Sequence, residues 1–334
     1  SLSIVGQFIS FDMSFLYQNN IRFPNPVIDT RDLAMILLPT LSSYSLAKLV
    51  THFEVDNTNP HKALSDAKAT ANVFIKLKNM ISGIDIKSQL MISLLSERSE
   101  SDLSSFFSQE INAQARFATG NKFDQLKVLK NNTTVTDIVE TDKVEFNFSL
   151  TDIFNKLQDI KYPLAYEHRA GQIELSNEIL DILQNGGRLL SEAGPGLGKS
   201  LAYLLAACHF SLNMGEKVII STHRNNLQNQ LFNKEYKLAK ELVNDLADYN
   251  DLAVSVLKGR QNYLCLNSFA EVLSKLEILD SDTFRFYSRI AVWIEMTQFG
   301  DYSEINLNKK ERLLWSSINF IILLWSSIPI FSIK

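Results

Sequence analysis

An α/β fold is the prediction for this chain of 334 residues. Three observations carry it. Short apolar runs alternate with helical stretches over residues 170–259. A glycine-rich turn joins the first such run to an apolar helix. A short strand running into a helix, VGQFISFDMSFL, lies near the start. Alternation of this kind predicts a parallel sheet with helices on both faces.

The elements follow in order. DTRDLAMILLP (29–39) reads as a helix stopped by Pro39. Asn59-Pro60 marks a loop that feeds a longer helix in HKALSDAKATANVFIKLKNM. Leu64, Ala67, Ala71, Phe74 and Ile75 fall at helical spacing there and predict its buried stripe. Residues 81–160 are polar and Ser-rich in part. NNTTVTDIVETDK (131–143) is polar and turn-rich, and 81–160 reads as a connector with some helix and a small strand pair. GQIELSNEILDILQN is a helix ended by Gly186-Gly187. RLLSEA then reads as a buried strand, KVIIST (217–222) as a second and LAVSVLKG (252–259) as a third.

Composition narrows the function. Hydrophobic residues are 46% and charged residues 21%, as in a globular protein, and net charge is −4. Bulk positive charge therefore does not argue for nucleic acid, and any such partner needs a local basic patch. Two cysteines, Cys208 and Cys265, are too few for a disulfide framework or a zinc ribbon and suggest a cytoplasmic setting. No charge occurs from Leu313 to Ile333, yet LLWSSI occurs there twice. The repeat and the Ser, Asn and Pro content read as a frame disruption, an aberrant tail over 319–334, rather than a membrane span.

Ala193-Gly194-Pro195-Gly196-Leu197-Gly198-Lys199-Ser200 fits G-x-x-x-x-G-K-[ST] with Ala in the first position. Glycines let backbone N–H groups turn toward phosphate oxygens, and the following helix presents its positive end. In such a loop Lys199 reaches the β- and γ-phosphates of ATP, and the Ser200 hydroxyl binds Mg²⁺.

YEHRAGQ (166–172), EAGPGLGKS, STHRNNLQNQL (221–231) and LKGRQNYLCL (257–266) occur in that order. Together they resemble the first half of the motor in DinG-type helicases, an XPD-like branch of superfamily 2, over roughly 161–318. The resemblance implies part of a RecA-like P-loop lobe, with Gln172 reading the adenine. It also implies single-stranded nucleic acid along Thr222, Gln228 and Gln230, with Lys258 and Arg260 adding positive charge. Taken singly, Gln228 and Gln230 are as well explained as solvated side chains. Many relatives of this kind hold an iron–sulfur cluster on four Cys. Only Cys265 stands in that segment, so no cluster is expected, and Cys265 and Cys208 read as small buried hydrophobes.

The front of the chain resembles DnaQ-like 3′→5′ exonucleases, which have a ribonuclease H-like fold. FDMSFL, DTRDLAMILLP and the H-x-x-x-x-D of His61 to Asp66 carry that likeness, over residues 1–80. It implies Mg²⁺ or Mn²⁺ on Asp12 and Asp66, with His61 as general base. The family has His-Asn where Gln7-Phe8 stand, and its Asp-x-Glu motif is not found before them. No Asp-Glu-Ala-His string occurs either. The expectation is an exonuclease–helicase chain that binds ATP with impaired catalysis. A non-catalytic module binding nucleotide and single-stranded DNA is the alternative, and another P-loop NTPase or kinase a third.

Overall fold

A computed structural model of the chain describes residues 2–114, 148–159, 169–247, 254–319 and 330–333. The polar stretch 131–143, within the connector where a strand pair was expected, lies outside them. Two compact units divide the chain: residues 1–133 with 260–323, and 134–259 with 324–334. They cut across the sequential order of segments, because residues 260–323 pack with the front of the chain rather than with the glycine-rich loop.

The first unit begins with β1 (Ile4–Gly6), α1 (Ser10–Gln18), β2 (Val27–Asp29) and α2 (Thr30–Leu37). β1 and β2 pair in parallel, with Val5 opposite Ile28. Next come α3 (Leu46–Phe53), α4 (Ala63–Ile81), α5 (Ile86–Ser96) and α6 (Asp102–Gln114). The returning segment adds α12 (Leu266–Lys275), α13 (Ser281–Trp293) and α14 (Lys309–Trp315). Capping sets several of these boundaries. Asp29 accepts from Arg31 N, Ser45 from Lys48 N and Asp280 from Thr283 N, each satisfying a backbone donor of the first turn.

The helix over 63–81 forms, but its buried stripe is not the expected one. Ala69, Val73, Leu77 and Ile81 are fully buried, whereas Leu64 is 70% and Ile75 54% exposed. Both stripes satisfy helical spacing, and the neighbouring helices select the one at 73, 77 and 81; of the expected stripe Phe74 is partly buried against the same core. The side chains at 73, 77 and 81 are the ones fully covered. They join Leu33, Ile36, Leu49, Ile92, Phe107, Phe284, Ile290 and Trp293 in one core.

An ion pair closes this core. Arg289 and Glu311 are 0% and 1% exposed and meet at 3.2 Å. Arg289 Nη2 donates to Pro39 O (2.7 Å) and to Tyr44 Oη (3.1 Å), and Nη1 donates to Asn306 O (3.1 Å). Burial raises the Tyr44 pKa despite the guanidinium beside it.

The second unit contains α7 (Leu150–Asp159), α8 (Ala170–Asn185), α9 (Lys199–Met214), β3 (Val218–Ser221), α10 (Asn225–Gln230), a π-helical turn (Leu231–Glu235), α11 (Tyr236–Ala247), β4 (Val254–Leu257) and β5 (Ile330–Ile333). α9 is apolar almost all round, and Leu204, Leu205 and Cys208 pack with Phe154, Leu231 and Leu242. Three expectations are corrected here. RLLSEA is not a strand: residues 188–193 have no strand pairing, and Leu190 is fully exposed. The sheet is not parallel: β5 lies between β3 and β4 and pairs antiparallel with both. Nor are β3 and β4 buried strands, because burial alternates along them and leaves Ile219 65% and Leu257 58% exposed. The physical reason is common to the first two. An apolar run becomes a strand only where a neighbour supplies its hydrogen bonds, and here residues 330–333 supply those of β3 and β4. Among the described residues no helix is long and apolar enough to cross a membrane.

Replacing Arg289 by Ala leaves Glu311 buried without its partner. We expect a loss of about 3–5 kcal/mol in urea unfolding, and a smaller loss in the double variant Arg289→Met/Glu311→Leu, which removes both charges.

Candidate functional site

The glycine-rich loop is built from both sides. Gly196 and Gly198 have φ of 86° and 84°, backbone that side chains with a Cβ seldom adopt. Gly198 is also the N-cap of α9. No side chain caps that helix end, so its first-turn N–H groups face the loop with the positive end of the helix dipole. From α8, Gln172 is 2% exposed and donates from Nε2 to Gly198 O at 2.9 Å. A Cβ on Gly198 would come within 2.3 Å of that nitrogen. Ser176 Oγ donates to Ala202 O (2.8 Å) one turn on, and Arg169 donates to Gly196 O. Gln172 thus braces the loop's backbone in this structure.

Lys199 Nζ donates to the carbonyls of Ala193 (2.7 Å) and Gly194 (2.8 Å), and so spans the loop. Ser200 Oγ donates to Glu235 Oε1 at 2.9 Å, and Gln230 Nε2 donates to the same oxygen at 2.6 Å. The Tyr203 phenol is pushed up to about 12, first by burial and then by the Glu235 charge. Burial alone pushes the Cys208 thiol up to about 12. Lys199, Ser200, Tyr203, Gln230 and Glu235 border a cleft of about 920 Å³. Leu175, Ile179, Ile182 and Leu183 form its apolar wall, and Gly198, Lys199 and Ser200 stand on its polar side.

The residues expected to follow a nucleic-acid strand are placed differently. Thr222, Gln228 and Lys258 are buried, at 6%, 0% and 6% exposure. Gln228 Nε2 donates to Leu257 O (2.9 Å), tying α10 to the end of β4, so Gln228 is not a solvated side chain. Arg260 is exposed and falls in the first unit, whereas the other three fall in the second. Both cysteines are buried and free. Cys265 is more than a hydrophobe, since its sulfur caps α12 by accepting from Ser268 N at 3.5 Å.

In the first unit, Asp29 supports the turn that leads into α1. Its carboxylate accepts from Phe8 N (2.9 Å) and Ile9 N (3.1 Å), and Phe8 has φ 55°. Gln7 donates from Nε2 to Tyr44 O (2.8 Å) and accepts from Thr30 Oγ1 (2.5 Å). Asp12 is exposed on α1. His61 is exposed in the turn before α4, with φ 69°. Asp66 is half-buried and accepts from Asn57 Nδ2 at 3.1 Å. Among the described residues no group of three or more His, Cys, Asp or Glu is placed to hold a metal ion. Sequence reasoning missed Asp29, Arg169, Tyr203 and Glu235. Arg169 stood within a recognised motif; Glu235 lies beyond one and carries no pattern of its own.

Comparison with known proteins assigns the parts. Residues 3–74 match the model of the Exonuclease family, so the front of the chain is similar to that class of protein. Over almost its whole length the chain resembles proteins named 3′-5′ exonuclease DinG, as the ordered motifs implied. It is 28% identical over 323 residues to that of Bacillus subtilis, covering 95% of this chain and 34% of the relative. It is 29% identical over 314 residues to that of Staphylococcus epidermidis, covering 92% and 34%. The chain therefore spans about a third of the length of these relatives. No solved structure matches it.

Gly198→Ala sets a Cβ against Gln172 and strains a left-handed residue. We expect a destabilisation of about 1–3 kcal/mol by thermal unfolding. Adding Gln172→Ala should relieve the clash and leave the backbone strain.

Proposed function

We propose that this chain is a nucleotide-binding part of a DinG-type protein that joins a 3′→5′ exonuclease to an ATP-dependent helicase acting on single-stranded DNA. One observation carries the nucleotide reading: the uncapped start of α9, entered through the left-handed Gly198 that Gln172 braces, borders a cleft with an apolar wall. Backbone donors and a cationic Lys199 suit phosphates, and leucine and isoleucine side chains suit the face of a base. Ala193 to Ser200 would wrap the phosphates of ATP, and Ser200 would hold Mg²⁺. Gln172 serves this reading as the brace of the loop. Single-stranded DNA enters through the likeness to the DinG proteins; Thr222, Gln228, Lys258 and Arg260 are its proposed contacts.

For the exonuclease portion, Asp12 and Asp66 are the proposed ligands of Mg²⁺ or Mn²⁺, and His61 the proposed base. Two carboxylates are few for two-metal phosphodiester hydrolysis, which clamps both the attacking and the leaving oxygen. The reading is accordingly ATP binding with weak turnover and weak nuclease action by this chain alone. A small-molecule kinase would share the loop but not the ordered motifs around it.

Titration of a fluorescent ATP analogue tests the first part. Lys199→Ala removes a charge-assisted contact to phosphate and should weaken binding by roughly tenfold to a hundredfold. Equal affinity in the two proteins would sink the assignment of the loop. The second part is tested by incubating the chain with labelled single-stranded DNA and Mn²⁺. Negligible 3′→5′ degradation is expected, and degradation that Asp66→Ala abolishes would show the two carboxylates to be enough.

A further inference from the structure

We propose that Glu235 is the carboxylate that seats the divalent cation of the nucleotide at Ser200. The inference rests on the nucleotide reading of the loop and deepens it. A serine hydroxyl has one proton and two lone pairs. To face a cation with a lone pair it must point its proton elsewhere, at an acceptor. Glu235 Oε1 is that acceptor, 2.9 Å from Ser200 Oγ. Gln230 Nε2 holds the same oxygen from a second direction at 2.6 Å. The other oxygen, Oε2, is buried and accepts no hydrogen bond among the described residues.

An anionic oxygen left in that state is costly, and a cation with its water shell would satisfy it. Mg²⁺ keeps several waters and takes one or two carboxylates together with phosphate oxygens, so one carboxylate and one hydroxyl suffice beside a bound nucleotide.

The local fold explains the placement. Glu235 ends the π-helical turn Leu231–Glu235, which follows α10. The wider turn brings Glu235 and Gln230, five residues apart, to one point, where a regular helix would favour three or four. The same turn buries Leu231 in the core, so the carboxylate is set on a packed element.

The test titrates a fluorescent ATP analogue into the full chain with and without Mg²⁺ and takes the ratio of the two affinities. Wild type should bind more tightly with Mg²⁺. In Glu235→Gln that gain should shrink by about tenfold or more, as when an outer-shell partner of a metal is removed. Binding that persists without Mg²⁺ shows that the variant is folded. Glu235→Asp keeps a carboxylate and should recover part of the gain; it carries the same comparison if the Gln variant does not fold. A Mg²⁺ gain in Glu235→Gln equal to that of wild type would overturn the role of Glu235 and leave the loop assignment standing. A wild type that binds no nucleotide would overturn both.

Discussion

The Arg289 guanidinium organises the first unit. Pro39 stops α2, and the carbonyls at its end need donors that the helix no longer provides. Leu38 O receives the Tyr44 hydroxyl at 2.8 Å, and Pro39 O receives Arg289. Glu311 completes the set, held by the capping box at the start of α14. A buried charge without these partners would cost several kcal/mol, so alternative packings of α13 against α2 are disfavoured. Arg285, one turn earlier, repeats the theme nearer the surface with Asp32 at 3.0 Å. Burial raises the Asp32 pKa even so, against the pull of Arg285.

The second unit achieves its order by shorter links. Gln172, Ser176 and Arg169 all reach from the start of α8 to the loop and first turn of α9. Stability and function meet there. The amide that fixes Gly198 also sets which way the first N–H groups of α9 point. The helix behind it is buried from Leu204 to Leu212.

Much of this was legible in the residues. Pro39, Asn59-Pro60 and Gly186-Gly187 mark helix ends through backbone restrictions that act locally, and those ends are found. The turn at 193–200 was legible because its glycines allow the left-handed backbone that leads into α9. The α4 stripe was not, because two helical registers are both apolar and only the partners choose between them. RLLSEA illustrates the same limit for strands: its composition suits a sheet, but pairing is decided by residues far along the chain. Gln228 and Lys258 carry polar groups that suit a nucleic acid, and their burial beside the end of β4 was not legible in the residues. Glu235 was invisible because a π turn, not a sequence pattern, brings it to Ser200.

The sheet of the second unit has a consequence for the order of folding. β5 stands between β3 and β4, yet in the chain it follows them only after the whole returning segment of the first unit. On the ribosome, β3 and β4 emerge before Ile330–Ile333, with which they pair among the described residues. α2 likewise waits for α13. Each unit therefore depends on contacts distant in sequence, which slows closure and leaves strand edges open to other chains in the interval. A chaperone that shields β3 and β4 during synthesis would act on the yield of this protein more than on its final stability.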